Sequence, residues 1–152
     1  MSDVIVRPVE AEDFPQWLPL WNGYNAFYGR SGAAALPDAV TQATWARFQD
    51  PAIPIYAIIA VSRGVAVGLA HYLFHYSTSS TAQTCYLQDL FTSETMRGQG
   101  VARALIEGVY AAANQAGTTR VYWHTHETNH RAQALYDKVA QKSGFIVYRK
   151  PA

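Results

Sequence analysis

The strongest local signal in the sequence lies in Asp89-Leu90-Phe91-Thr92-Ser93-Glu94-Thr95-Met96-Arg97-Gly98-Gln99-Gly100-Val101-Ala102. It predicts a strand that runs into a glycine-rich turn and then into a helix, because apolar residues recur at helical spacing from Val101 onward. The first turn of a helix leaves backbone N–H groups unpaired, and the helix dipole favours a negative charge there. Gly98 and Gly100 have no side chains, so a group as bulky as a pyrophosphate can reach the backbone beside Arg97. The stretch therefore predicts an anion-binding turn, with an ordinary loop before a helix as the alternative.

This turn differs from two common nucleotide-binding motifs. It lacks the Gly-Lys-Ser/Thr ending of a P-loop. It also lacks the glycine pattern of a dinucleotide-binding fold and the acidic residue about 20 positions downstream that such a fold requires.

Outward from the turn, periodicity and turn residues predict the remaining elements. Helices are expected over residues 14–28, 40–49, 101–116 and 129–140. Strands are expected over residues 4–7, 55–62, 65–76, 83–92, 120–125 and 145–148. We find no repeat and no linker, so residues 1–152 are expected to form a single domain.

The composition restricts the function classes. Of 152 residues, 49% are hydrophobic and 15% are charged, which is typical of a compact globular chain. The net charge is +1 and no basic run is present, which argues against nucleic acid as a partner. A single cysteine, Cys85, excludes an internal disulfide, and no apolar run is long enough to cross a membrane. We expect no signal peptide and a cytoplasmic protein.

The last predicted helix carries a second candidate site. Asn129, Ala132 and Tyr136 are spaced i, i+3, i+7, so Asn129 and Tyr136 lie within about 20° of one face and about 10 Å apart. One extended ligand could contact both residues. The alternative is that Tyr136 is a core tyrosine with a local hydrogen bond.

Two motifs resemble those of the GCN5-related N-acetyltransferase (GNAT) family. The run from Arg97 to Ala102 resembles the family's Arg/Gln-x-x-Gly-x-Gly/Ala signature, which binds the pyrophosphate of acetyl-CoA. The stretch from Asn129 to Lys138, followed by Gly144-Phe145, resembles a second family motif. The long spacing before Gly144 is similar to that of the histone and polyamine acetyltransferase branch.

This resemblance implies a fold and a co-substrate site. The implied fold is α+β, in three layers, with a mixed sheet of about six to seven strands, an antiparallel N-terminal part, splayed strands four and five, and four helices. The implied activity is transfer of an acetyl group from acetyl-CoA to a primary amine by direct attack in a ternary complex. The implied acetyl-CoA-binding residues are Leu90, Phe91, Thr92, Arg97, Gly98, Gln99, Gly100, Val101, Ala102, Asn129 and Tyr136.

The catalytic residues follow partly from the family and partly from chemistry. In the family the residue at Tyr136 protonates the leaving thiolate, and tyrosine is protonated at neutral pH because its unperturbed pKa is about 10. Many relatives carry Glu at the position of Gln88, and an amide cannot take a proton. Deprotonation of the amine would therefore fall to Asp89, to His124 or His126, or to a water chain.

The acceptor site is less well defined by the sequence. We expect it to be bordered by Tyr24, Phe27, Tyr28, His124 and Glu127, and to take a small or peptidic primary amine, with long polyamines second. His124, His126 and the distant Cys85 form a poor metal signature, so no metal is expected. His71 and His75 are most simply hairpin residues.

Two further hypotheses remain open from the sequence. The chain could be a noncatalytic acyl-CoA sensor that kept the turn without the Glu. A homodimer is also expected, because a final strand at residues 145–148 would leave an apolar edge exposed.

Overall fold

In the computed structural model, which describes residues 3–152, the first four strands form an antiparallel meander. A fifth strand then pairs with the fourth in parallel. The strands are β1 (Val4–Pro8), β2 (Ile55–Ser62), β3 (Val65–Ser77), β4 (Ser80–Thr92) and β5 (Val121–Tyr122). The helices are α1 (Phe14–Phe27), α2 (Asp38–Gln49), α3 (Val101–Gln115) and α4 (His130–Val139), with 3-10 turns at Ala11–Asp13, Gly32–Ala34 and Glu94–Met96.

Helices α1 and α2 cover one face of the sheet with an aromatic layer. Trp17 is fully buried, and its ring lies 5.5 Å from that of Trp21 and 4.9 Å from that of Trp45. Ile59 and Leu69 of the sheet complete this cluster. Phe14, Trp17, Trp21 and Tyr24 recur every three or four positions along α1, so one helical face carries these four onto the sheet.

Helix α3 covers the opposite face and lies unusually close to it. Its buried residues are Val101, Leu105, Ile106, Val109 and Ala113. Gly68 of β3 makes the close approach possible, because a Cβ there would lie 2.8 Å from Cγ1 of Val101. The N-terminus of α3 is thereby held over the end of β4, where the glycine-rich turn begins.

The β4–β5 pair separates early. Pairing is limited to Cys85 with Val121 and Tyr86 with Tyr122, whereas β4 continues to Thr92. A register shift in the β3–β4 ladder leaves Gln88 as an extra residue, between Leu87 and Asp89. The outer edge of β4 beyond Tyr86 therefore faces an open cleft, as expected for splayed strands four and five.

The structure corrects the strand count. Among residues 3–152 the four helices are confirmed, but the sheet has five strands, not six to seven. The fifth strand is shorter than residues 120–125, and residues 145–148 form no strand. The chain leaves α4 in an extended conformation at Ala140 (φ −154°, ψ −169°), and Phe145 and Tyr148 are 90% and 88% exposed. A strand forms only where a partner edge pairs with it, and residues 145–148 meet none among residues 3–152. Within residues 3–152, no helix is both long enough and apolar enough to cross a bilayer.

Candidate active site

The glycine-rich turn has the geometry of an anion site. Gly98 and Gly100 adopt φ of +77° and +83°, which other residues rarely adopt. Gly100 precedes α3 with no side-chain cap, so the first N–H groups of the helix remain available. A Cβ at either glycine would meet no atom within 4 Å, so the turn is open to a ligand. Arg97 lies beside it, with Cζ 5.7 Å from the centroid of the Phe91 ring.

The cleft between β4 and the segment after β5 contains two buried hydroxyl groups without partners. They are Oγ1 of Thr92, at the end of β4, and Oγ1 of Thr125, on the segment that diverges from it. Buried polar atoms are nearly always hydrogen-bonded, so two unpartnered hydroxyls on the two diverging segments fit a cleft that receives a polar ligand.

Asn129 is placed at the N-terminus of α4. Its side-chain oxygen accepts a hydrogen bond from the N–H of Ala132 at 3.4 Å, so it caps the helix, which starts at His130. The backbone N–H of Asn129 donates to the carbonyl of His126 at 2.9 Å, whereas its side-chain nitrogen Nδ2 forms no hydrogen bond within residues 3–152 and is available to a ligand.

Tyr136 points into the space between the two diverging segments. Its ring lies 5.4 Å from that of Trp123, in an edge-on contact. Its hydroxyl forms no hydrogen bond with the part of the chain that the structure describes. Burial raises the pKa of Tyr136 to about 12. Tyr136 is therefore a protonated, unpartnered donor at neutral pH, and it borders a narrow cavity of about 20 Å³ lined by Tyr24, Tyr28, Leu87, Gln88, Leu90, Trp123, His124 and Tyr136.

A larger cavity of about 510 Å³ lies next to this narrow one, on the side of α1 and α2. Tyr24 and Gln88 line both cavities and therefore form their common wall. The larger cavity is lined by Trp21, Tyr24, Asn25, Arg30, Leu36, Val40, Thr44, Tyr86, Gln88 and Asp89.

Asp89 borders the larger cavity and is fixed by a buried hydrogen-bonded chain. Nε1–H of Trp17 donates to Nε2 of His71 at 3.0 Å, and Nδ1 of His71 lies 2.8 Å from Oδ2 of Asp89. An indole nitrogen can only donate, so Nε2 of His71 carries no proton. The proton of the neutral imidazole is therefore on Nδ1 and is donated to the carboxylate.

The sequence did not predict the hydrogen bonds that join Trp17, His71 and Asp89, and His71 was interpreted as a hairpin residue. The signal was its place two residues after Leu69, which packs in the same aromatic layer as Trp17, since a histidine buried among apolar neighbours needs hydrogen-bond partners. The larger cavity also contains Arg30 and Asn25, which no sequence motif indicated.

Two tyrosines of the predicted acceptor site surround the carboxylate. Burial raises the pKa of Tyr24, and the charge and hydrogen bonding of Asp89 raise it further. Burial and the charge of Asp89 also raise the pKa of Tyr28. Both phenols therefore remain protonated donors near Asp89.

Of the other residues predicted to border the acceptor site, one lines a cavity and two do not. Nδ1 of His124 lies 3.4 Å from the hydroxyl of Tyr86, and His124 lines the narrow cavity. Phe27 is 55% exposed at the end of α1 and Glu127 is exposed in the turn before α4. Neither Phe27 nor Glu127 lines either cavity.

Comparisons with known proteins agree with this geometry. Residues 17–140 match the model of the acetyltransferase (GNAT) family. A D-amino-acid N-acetyltransferase, HPA3, from Saccharomyces cerevisiae (strain ATCC 204508 / S288c) is 38% identical over 149 residues, which are 97% of this chain and 90% of the yeast protein. Among solved structures, a probable acetyltransferase superposes with a TM-score of 0.83 at 20% identity, covering 97% of both chains.

A further similar structure was solved with a ligand. It is the aminoglycoside acetyltransferase AAC(6')-Iy in complex with a bisubstrate analogue of CoA, with a TM-score of 0.79 at 20% identity, covering 99% of this chain and 100% of that one. The comparisons do not confirm the histone and polyamine branch. They do show that the chain belongs to the GNAT family of N-acetyltransferases, whose co-substrate is acetyl-CoA.

Proposed function

We propose that this chain acetylates a primary amine of a small molecule by direct attack on acetyl-CoA in a ternary complex. The observation that carries the proposal is the pair of adjoining cavities with Tyr24 and Gln88 as their common wall. One cavity contains a phenol donor, Tyr136, and the other contains a carboxylate, Asp89. An amine in the larger cavity would thus lie across this common wall from Tyr136, next to the open edge of β4 that would hold the thioester.

In this proposal the glycine-rich turn and the cleft hold acetyl-CoA. The N–H groups of Gly98, Gln99, Gly100, Val101 and Ala102, with Arg97, would bind the pyrophosphate. The open edge of β4 at Leu90, Phe91 and Thr92 would pair with the pantetheine arm as an added strand, and Asn129 would contact it from the other side. Acetyl-CoA supplies the activated acetyl group.

The protein would supply three elements of catalysis. A backbone N–H of Leu90 or Phe91 would donate to the carbonyl oxygen as negative charge develops on it. Tyr136 would protonate the departing thiolate as the C–S bond breaks and the N–C bond forms. Asp89, held by His71, would accept the proton that the ammonium must lose.

A covalent acetyl-enzyme is disfavoured by the surroundings of Cys85. This side chain is fully buried, lines neither cavity, and has its pKa raised to about 11 by burial. A buried neutral thiol that cannot reach the substrates is not a nucleophile.

Release of free CoA thiol in the presence of an amine panel tests the proposal. We expect release that depends on the amine and an N-acetylated product of matching amount. Acetyl-CoA binding without turnover for every amine would contradict it and favour the acyl-CoA sensor. Because Cys85 is buried, a thiol reagent should report CoA with little background from the native protein.

The acceptor class is narrowed by charge. A long polyamine has several ammonium groups and needs several carboxylates, whereas the larger cavity has one, Asp89. We therefore rank small amines above polyamines and place the histone and polyamine branch second. The yeast relative is named for D-amino acids, so amino acids join the candidate acceptors.

We also propose a homodimer, with the segment 145–148 as the contact. Its four apolar residues Phe145, Ile146, Val147 and Tyr148 are between 67% and 90% exposed, while β5 has an open outer edge in the described chain. A second copy offers the same edge and the same segment, so a reciprocal exchange would bury both. The extended conformation at Ala140 directs the segment away from its own sheet.

Light scattering during gel filtration tests this assembly. The full chain should have close to twice its 16.8 kDa mass, and a chain truncated after Ser143 should be monomeric. A monomeric full chain at micromolar concentration would contradict the exchange. An unchanged dimer after truncation would place the contact elsewhere.

A further inference from the structure

The larger cavity contains one charged side chain of each sign. Of its ten lining residues, only Arg30 and Asp89 are charged. They do not form an ion pair with each other, because within residues 3–152 the basic side chain that contacts the carboxylate of Asp89 is His71. A cavity with a separated cation and anion is complementary to a ligand that carries both charges.

Arg30 is held in place by the end of α1. Gly29 adopts φ of +79°, which reverses the chain so that the N–H of Arg30 donates to the carbonyl of Asn25 at 2.8 Å. Nε of Arg30 donates to Oδ1 of Asn25 at 2.7 Å. Asn25 is buried, and its amide nitrogen donates to the carbonyl of Trp21 at 2.9 Å. The guanidinium is therefore positioned by a built network and is not a free surface charge.

The charge of Arg30 remains available. Its Cζ lies 5.7 Å from the ring centroid of Tyr24 and 5.5 Å from that of Tyr28, so two aromatic rings flank it. No carboxylate within residues 3–152 pairs with it, and its terminal nitrogens form no hydrogen bond there. A guanidinium with its Nε already used can still offer its two terminal nitrogens to a carboxylate oxygen pair.

We propose that Arg30 binds a carboxylate of the acceptor, so that the acceptor is an amino acid. The inference rests on the proposed function, because it assigns the larger cavity to the acceptor. The carboxylate lies against Arg30 and the amino group lies towards Asp89 and the common wall formed by Tyr24 and Gln88. In the reaction the amine nitrogen bonds to the acetyl carbon, the C–S bond breaks, and the carboxylate is unchanged. The product is an N-acetylamino acid.

Steady-state kinetics with matched acceptors test the assignment. The panel contains both enantiomers of an amino acid, its carboxamide, and the amine that remains when the carboxylate is removed. Each is compared by its catalytic efficiency per free amine, measured over a pH series. We expect the amino acid to exceed the carboxamide and the decarboxylated amine by roughly 10- to 100-fold, since both lack the anion that a charged hydrogen bond requires.

Substitution of Arg30 provides a second test of the carboxylate assignment. Arg30→Gln should raise KM for the amino acid by roughly 10- to 100-fold and leave kcat/KM for the decarboxylated amine within about twofold. Arg30→Lys keeps the positive charge but lacks the planar guanidinium that can bind both carboxylate oxygens, so it should give an intermediate KM. Arg63→Gln is the matched control, because it removes the same charge from the exposed β2–β3 turn.

The outcomes separate this inference from the proposed function. If none of the amines is acetylated, the proposed function fails. If the decarboxylated amine is acetylated as efficiently as the amino acid, and Arg30→Gln changes neither, the carboxylate assignment is wrong while the proposed function stands. An increase in KM for acetyl-CoA alone would assign Arg30 to the co-substrate and would also overturn the inference. Retained thermal stabilisation by CoA shows that each variant is folded.

Discussion

Nδ1 of His71 lies 2.8 Å from Oδ2 of Asp89, and both side chains are buried. The contact joins the cavity that would hold the acceptor to the aromatic layer beneath α1, since Trp17 fixes the other nitrogen of His71. His71 does not line either cavity, so it acts as a positioning residue for Asp89.

Replacement of His71 therefore has a predicted kinetic signature. His71→Leu removes the donor that orients the carboxylate of Asp89 and leaves Nε1–H of Trp17 without its acceptor. We expect kcat to fall by roughly 10- to 100-fold. His71→Asn, whose amide nitrogen can take the place of Nδ1–H, should recover part of the loss. An unchanged kcat in a folded His71→Leu variant would show that the contact only stabilises the fold.

Tyr136→Phe tests the general acid. The substitution removes one hydroxyl that has no partner in the described chain, so the fold should be little affected. We expect kcat to fall by roughly 10- to 10⁴-fold with little change in KM for acetyl-CoA. Tyr110→Phe is the matched control, because its hydroxyl donates to the carbonyl of Val139 at 2.9 Å and lines neither cavity. Equal turnover in Tyr136→Phe and the native enzyme, with chemistry rate-limiting, would remove Tyr136 from the mechanism.

Gly100→Val tests the anion-binding turn. Gly100 has φ of +83°, and a β-branched residue there is strained by about 1–2 kcal/mol and covers the first N–H groups of α3. Thermal stabilisation by acetyl-CoA, worth about 2.7 kcal/mol at a hundredfold excess over Kd, should disappear. Gly117→Val carries the same strain, at φ of +88°, but at the opposite end of α3, and should keep the full ligand effect. If both variants keep it, acetyl-CoA binds elsewhere.

The sequence predicted the helices, the turn and the cleft because each has a local cause. The periodicity of Val101, Leu105 and Val109 places one face of α3 on the sheet, and positive φ at Gly98 and Gly100 explains why glycine occupies both positions. The family resemblance implied splayed strands four and five, and pairing between β4 and β5 does end early, at Tyr86.

The features that were missed depend on distant parts of the chain. Asp89 and His71 are 18 positions apart, and Trp17 and His71 are 54 apart, so no local pattern connects them. Residues 145–148 have the composition of a strand, but composition specifies no partner edge. Arg30 is placed by a helix end and by Asn25, and a cation in a loop after a helix is too common to indicate a site.

The dependence of activity on pH tests the assignment of Asp89. A primary amine must lose a proton before it attacks, and amines have unperturbed pKa values from about 8 for α-amino groups to about 10 for lysine. The catalytic efficiency should therefore rise between about pH 7 and 9, by roughly tenfold for an amine of pKa about 8 and by roughly 90-fold for one of pKa about 10. Burial raises the pKa of Tyr136 to about 12, so this acid stays protonated across that range and should cause no fall in kcat below about pH 11.

Asp89→Asn should lower the efficiency across this range, because the amide keeps the shape of the side chain but cannot take a proton. Its oxygen can still accept the hydrogen bond from Nδ1 of His71, so the buried chain should remain intact. Asp137→Asn is the control, as Asp137 is exposed on α4 next to Tyr136 and should be neutral. A fully active Asp89→Asn enzyme would contradict the assignment, because it would mean that a water chain or His124 removes the proton and that the charge of Asp89 is not needed to bind the ammonium group.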